Sequence, residues 1–287
     1  MIPIPETDLI LNPDGSIYHL NLLPEDVAPI IITVGDPDRV SDISNRFDSI
    51  ELKKGKREFI THTGYVGRKR VSVISTGIGT DNIDIVINEL DALVNLDFGM
   101  RMPKTELISL DIIRIGTSGT IQPDIEIDSI LFSEYAFGFD SLMHYYFHTL
   151  EGDERMMQDH IHSYFHHLNN IKPYVTSAST TLMDKFGNSH LKGITATIPG
   201  FYAPQGRELR GRTTIPDFVQ LLNTFDFNDL KITNLEMETA GIYGLAKVLG
   251  HKAISVNAIL ANRTTMKFSK DPLKVISKAI DHILINL

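Results

Sequence analysis

Ile112-Ile113-Arg114-Ile115-Gly116-Thr117-Ser118-Gly119-Thr120 places an arginine inside an apolar, β-branched run and follows it with glycines and hydroxyls. Such a run reads as a strand covered on both faces, the habit of parallel sheets. An arginine is rarely buried there without an anionic partner. Two other segments repeat the pattern. Ile30-Ile31-Ile32-Thr33-Val34 leads into Gly35-Asp36-Pro37-Asp38-Arg39, and Val71-Ser72-Val73-Ile74-Ser75-Thr76 leads into Gly77-Ile78-Gly79-Thr80. Open α/β sheets place ligands at such carboxyl ends of strands. Glycines let backbone N–H groups approach an anion, hydroxyls add donors, and a guanidinium grips oxyanions with a fork. The three segments, read as strand-to-loop turns, together describe an oxyanion site. Each turn alone fits an ordinary tight connection, and a structural salt bridge would also satisfy Arg114. Asn82 stands where the dinucleotide fingerprint needs its third glycine, and no Walker lysine follows any of the turns.

Outward from these turns, β-rich runs at 29–34, 70–74, 111–115, 129–132, 174–179, 194–197 and 253–260 alternate with helical periods. The alternation predicts a largely parallel sheet covered by helices. One helix is expected from Thr80-Asp81, with capping side chains and a stripe of Ile83, Val86, Ile87, Leu90 and Leu93. Another starts at Asp271-Pro272 and carries Leu273, Ile276, Ile280, Ile283 and Leu287. Repeats, low-complexity tracts and linkers are absent, so one α/β domain over residues 1–287 is expected.

With 287 residues, 42% of them hydrophobic and 22% charged, the chain can bury a sizeable core. A net charge of -9 opposes binding to nucleic acid and to anionic membranes, leaving a small ligand as the expected partner. Zero cysteines exclude disulfides, thiolate zinc and a cysteine nucleophile. The start Met1-Ile2-Pro3-Ile4-Pro5-Glu6 lacks a signal-peptide pattern, and no apolar run approaches the ~18 residues of a spanning helix, so a cytoplasmic location is expected.

Two more clusters carry chemistry. Glu236-Met237-Glu238 precedes a helical stretch at 241–249; if extended, both acids share a side. They could serve as general acid and base, metal ligands or acceptors for vicinal sugar hydroxyls, or cap a solvated helix start. Phe201-Tyr202-Ala203-Pro204-Gln205-Gly206-Arg207 offers an aromatic face, a carboxamide and a guanidinium, the groups that stack on and read a heterocycle with carbonyl oxygens and a ring N–H. His144, His148, His160, His162, His166 and His167 invite a metal reading. Without a ligand-register acid, the stretch instead predicts a helical region packed on Tyr145, Phe147 and Tyr164, with His162 and His166 on one helix face.

Taken in order, Gly35-Asp36-Pro37-Asp38-Arg39-Val40, Lys56-Arg57-Glu58-Phe59, Ser75-Thr76-Gly77-Ile78-Gly79, Arg114-Ile115-Gly116-Thr117-Ser118-Gly119, Glu236-Met237-Glu238 and Asn262-Arg263-Thr264 resemble the nucleoside phosphorylase family of trimeric and hexameric type. The resemblance covers most of the chain, and Phe201-Tyr202 with Gln205-Gly206-Arg207 points to its uridine branch. It implies a single domain with a mixed central sheet, open or closed into a distorted barrel, flanked by helices. It further implies phosphorolysis of uridine to uracil and ribose 1-phosphate. Gly35, Arg39, Arg114 and Thr117 would hold phosphate, with Arg57 arriving from a neighbouring subunit. His19 would contact the 5′-hydroxyl across the same interface, while Met237 and Glu238 hold the ribose. Phe201, Gln205, Arg207 and Arg263 would bind the base, and Arg114, Gln205 and Arg207 would carry catalysis.

Phosphate is then a co-substrate; no organic cofactor and no catalytic metal are implied, and a monovalent cation near Glu58 at a dimer interface is compatible. The partners are a nucleoside, phosphate and further copies of the chain, as homodimer units building towards a hexamer. Purine-cleaving relatives place an Asp after the late strand, where this chain has Asn262-Arg263. The alternatives are a purine or broad-specificity phosphorylase, a nucleosidase, or a non-catalytic nucleoside-binding protein. The chain departs from the uridine pattern at Thr197-Ile198-Pro199-Gly200, at Gly79-Thr80-Asp81-Asn82 and by an apparent insertion over residues 97–106.

Overall fold

A computed structural model describes residues 2–168 and 171–287, so Met1 of the amino-terminal stretch lies outside the described residues. The principal strands are β1 (Ile30–Val34), β2 (Ser49–Lys56), β3 (Phe59–Val66), β4 (Lys69–Ser75), β5 (Asp111–Thr120), β6 (Ile130–Gly138), β7 (Tyr174–Ser177), β8 (Leu191–Thr197), β9 (Leu230–Glu236) and β10 (Lys252–Asn262). The helices are α1 (Pro37–Ser44), α2 (Thr80–Asn95), α3 (Asp153–Tyr164), α4 (Thr180–Phe186), α5 (Phe218–Asn223), α6 (Thr239–Leu249) and α7 (Pro272–Ile285).

The sheet runs β9-β8-β6-β10-β5-β1-β4-β3-β2, with β7 paired to β6. Its centre is parallel: β1 lies between β4 and β5, with Thr33 in register with Ile74 and Arg114. The whole is mixed rather than largely parallel, because residues 49–66 form an antiparallel hairpin against β4 that the sequence did not signal. The physical reason is visible in Ser49-Ile50-Glu51-Leu52-Lys53-Lys54-Gly55-Lys56, whose residues alternate exposed and half-buried at a sheet edge. Charged, lysine-rich edges discourage further strand pairing and also conceal the strand.

β5 organises the rest. Asp111 to Arg114 pair with β1, whereas Gly119 and Thr120 pair antiparallel with Leu235 and Asn234 of β9. The second pairing closes β5, β10, β6, β8 and β9 into a five-strand barrel. Residues 116–120, expected as a turn, therefore continue the strand. Glycine suits this bend because a Cβ on Gly116 would collide with the Arg114 guanidinium.

Alternation along the strands sorts the cores. Ile31 and Ile112 face α2 and α6, while Ile32, Ile113 and Ile115 face α1, α4 and α7. A third core joins α3 and α5 to Phe137, Phe139 and Phe225 beside the barrel. The α7 start is as expected, with Asp271 Oδ1 accepting from Lys274 N at 3.2 Å. The α2 start differs: Gly79, with φ of 94°, is the cap, and Thr80 begins the helix without a side-chain cap bond. The histidine-rich region also differs. α3 ends at Tyr164, so His166 lies beyond it; Tyr164 packs as expected, beside Met157 and Ile161, while Tyr145 and Phe147 stand in solvent. Residues 97–106 form a tight ladder of Leu96–Asp97 on Met102–Pro103, from which Arg101 donates to the carbonyls of Ile4, Pro5 and Leu9. Among the described residues no helix is long and apolar enough to cross a membrane.

Candidate active site

Arg114 shares the parity of Ile112, so it projects towards the amino end of α6, where β9 delivers two carboxylates. Its Nη2 stands 2.9 Å from Glu236 Oε2 and donates to Glu238 Oε2 at 2.6 Å; Nη1 donates to Asn257 Oδ1 at 3.1 Å. Burial disfavours the guanidinium charge, but Glu236 and Glu238 outweigh it and hold Arg114 above its ordinary pKa. Glu238 is pushed up, first by burial and then by Glu236, against the pull of Arg114. Glu236 also accepts from Thr197 Oγ1 at 2.5 Å and from the N–H groups of Glu238 and Thr239 at 2.9 Å, at the positive end of α6. Glu238 Oε1 accepts from Gly79 N at 2.8 Å, which ties the second glycine turn to the carboxylate pair. The salt bridge considered for Arg114 thus exists, and its partners are the two acids left open above.

A cavity of about 510 Å³ opens beside this network. Gly35, Asp36, Arg39, Arg114 and Thr117 line it, as do Met237 and Glu238, and Phe201, Gln205 and Arg207. The β1 and β4 turns meet closely there, since a Cβ on Gly35 would lie 3.3 Å from the Gly77 carbonyl oxygen. Among the described residues Arg39 has one ion pair, with Asp36 at 4.0 Å, and burial lowers its pKa. Burial and the neighbouring Arg263 bring Arg207 down to about 10, and burial lowers Arg263 as well. Desolvated cations around one cavity make a site that gains by taking an anion or electron-rich oxygens.

The loop between β8 and β9 builds a second wall. Arg207 lies over the Phe201 ring at 3.9 Å, and its Nη1 donates to Gln205 Oε1 at 2.6 Å and to the Phe201 carbonyl at 2.8 Å. Gly206 takes the left-handed conformation, with φ of 66°, that lets Arg207 fold back over this short turn. Arg263 Nη1 donates to the Gln205 carbonyl at 3.1 Å, so it braces the wall from behind and does not line the cavity. Phe268 does line it; the sequence held no signal for this residue, because its strand is two residues long and is defined only by pairing with Ala261.

His19 and Arg57 do not line the cavity of their own chain. They sit together: the Tyr18 ring is 4.8 Å from the His19 ring and 6.0 Å from the Arg57 guanidinium carbon. Arg57 holds a left-handed φ of 57° in the turn between β2 and β3. Glu58 follows it, with its side chain close to Gly77. Among the described residues no group of three or more His, Cys, Asp or Glu converges as a metal site.

Residues 29–283 match the family model described as the phosphorylase superfamily. The uridine phosphorylase of Thermococcus kodakarensis is 33% identical over 258 residues, covering 90% of this chain and 81% of the relative. That of Haemophilus influenzae is 27% identical, covering 90% of each. Among solved structures, a Trypanosoma brucei nucleoside phosphorylase described as showing uridine phosphorylase activity superposes with a TM-score of 0.87 at 28% identity, covering 98% of this chain and 99% of that one. The sheet with its barrel-closing β5 thus belongs to a known architecture, and this chain is a member of the phosphorylase superfamily.

Proposed function

We propose that the protein cleaves the N-glycosidic bond of uridine with inorganic phosphate, giving uracil and ribose 1-phosphate. The observation that carries this reading is the convergence in one cavity of an oxyanion-binding set (Gly35, Arg39, Arg114, Thr117), a sugar-binding pair (Met237, Glu238) and a base-reading wall (Phe201, Gln205, Arg207). A phosphate oxygen attacks C1′ as the C1′–N1 bond breaks, and the bonding pair passes to the departing base. Charge therefore grows on the uracil carbonyls, where the Gln205 amide and the Arg207 guanidinium stabilise it more in the transition state than in the ground state. Holding phosphate beneath C1′ supplies a further large share of the rate by positioning. The reaction needs phosphate as co-substrate and no organic cofactor.

A purine base would leave best if protonated, and residue 262 offers no acid for this. Asn262 donates to the carbonyls of Gln122 and Ile125 and accepts from the N–H groups of Thr264 and Thr265, so its amide is consumed by the loop. His19 and Arg57, grouped outside their own cavity, are assigned to the cavity of a neighbouring copy, which makes the working unit at least a dimer. The test is ultraviolet-monitored turnover of uridine and inosine, each with and without phosphate. Phosphate-dependent loss of uridine is expected; equal rates without phosphate, or cleavage of inosine alone, would overturn the assignment.

A further inference from the structure

Glu89, in the middle of α2, turns its carboxylate towards the segment that carries His19. The carboxylate accepts from His19 N, 3.1 Å from each oxygen, and from Leu20 N at 2.8 Å, and it meets His19 Nδ1 at 2.6 Å. Only 13% of the Glu89 side chain is exposed, and among the described residues its one ionic partner is His19. Withdrawing a carboxylate from water is costly, and here the donors that offset the cost all come from two adjacent residues. The imidazole is held on its other sides by the rings of Tyr18 and Phe59, both edge-on.

This arrangement selects a tautomer. An ionised carboxylate accepts only, so the ring nitrogen facing it carries the hydrogen. In the neutral imidazole the opposite nitrogen, Nε2, then keeps its lone pair, as in the carboxylate–histidine pairs that orient metal-binding imidazoles. Nε2 makes no hydrogen bond among the described residues, whereas Nδ1 does.

We propose that Glu89 is a positioning residue for the sugar end of the substrate: it locks His19 with the proton on Nδ1 and presents Nε2 as an acceptor for the 5′-hydroxyl of a nucleoside in the neighbouring copy's cavity. The inference rests on the assignment above of His19 to that cavity. Glu89 itself touches no substrate.

The experiment compares kcat/KM on uridine and on 5′-deoxyuridine, which lacks the accepted hydroxyl, for the wild type, His19→Ala, Glu89→Ala and Glu89→Gln. One neutral hydrogen bond sets a wild-type preference for uridine of about tenfold. His19→Ala and Glu89→Ala are expected to remove that preference, mainly through KM for uridine. Glu89→Gln is expected to change it less, since a hydroxyl also accepts from a protonated Nε2. The His19→Ala/Glu89→Ala double variant is expected to lose nothing more. A preference abolished by His19→Ala but kept by Glu89→Ala would overturn the proposal. A preference kept by His19→Ala would overturn it together with the placing of His19. Nitrogen-15 NMR of the His19 ring is the second readout, independent of turnover and usable on wild type alone if a variant fails to fold. A proton on Nδ1 in the wild type, moving to Nε2 when the Glu89→Gln amide donates instead, supports the assignment. A wild-type ring protonated on Nε2, or on both nitrogens at pH 8, overturns it. Absence of uridine turnover with a ring still protonated on Nδ1 would locate the failure in the substrate reading and withdraw the 5′-hydroxyl role with it.

Discussion

The guanidinium of Arg207 lies 3.9 Å over the ring of Phe201, so one face of that aromatic is already covered by protein and the cavity is left with the remainder. The ring supports Arg207 while Nη1 donates to Gln205, and among the described residues this partly desolvated cation has no carboxylate in ion-pair contact. Phe201→Ala removes both the stack, worth about 0.5–2 kcal/mol, and the packing surface for the base. KM for uridine is expected to rise roughly tenfold with a smaller change in kcat. Arg207→Lys keeps the charge but loses the planar fork, and a fall of about ten- to a hundredfold in kcat/KM is expected from steady-state kinetics.

Gly116→Ala tests the bend in β5. The new Cβ would occupy the space of the Arg114 guanidinium, which has to leave Glu236 and Glu238 or push the strand aside. Separating the buried ions is expected to cost about 3–5 kcal/mol in chemical denaturation. Phosphate-dependent turnover should fall by at least about a hundredfold, the scale of losing a preorganised electrostatic group. A stable variant with wild-type turnover would show that Arg114 need not hold this position.

Mixing two inactive variants tests the shared site. On the proposed arrangement Arg57→Ala disables the donated residue and Arg114→Gln the receiving cavity. A mixed dimer therefore contains one site with both defects and one with neither. After unfolding and refolding an equimolar mixture, about a quarter of wild-type activity is expected from random pairing. Activity no higher than the sum of the separate variants would place both residues in one chain's site.

Acid sensitivity is expected from Glu154, which does not line the cavity. Its carboxylate accepts from Lys247 Nζ at 2.7 Å, Ser177 Oγ at 2.6 Å and Glu151 N at 3.2 Å. Burial works to raise it, yet these partners prevail and hold it below its ordinary value of 4.5. A depressed folded value means that the stabilisation is present above 4.5 and is lost as the pH falls through the folded value. Glu154→Gln should therefore cost about 1–3 kcal/mol at neutral pH, with the gap to wild type closing below about pH 4 in urea titrations.

Several parts of this protein were legible in the order of its residues. The apolar runs of β1, β4, β5 and β10, the α7 cap at Asp271 and the glycine turns at 35 and 77 are local features, encoded by side-chain period and backbone freedom. So was the need of Arg114 for an anionic partner, because burial of a guanidinium is costly wherever it occurs. Phe201, Gln205 and Arg207 were legible as groups able to read a heterocycle, but their assignment to the uridine branch came only from the ordered resemblance.

Tertiary structure decided the rest. Whether 116–120 would turn or continue depended on β9 arriving to pair with Gly119 and Thr120, a contact more than a hundred residues away in the chain. The edge strand at 49–56 has no continuous apolar signal, because one of its faces meets water. Phe268 became a wall residue through pairing with Ala261, and Glu89 found His19 across 70 positions. Local sequence sets propensity and burial, but a salt-bridge partner, a closing strand or a tautomer is chosen by groups that only the folded chain brings within hydrogen-bond reach.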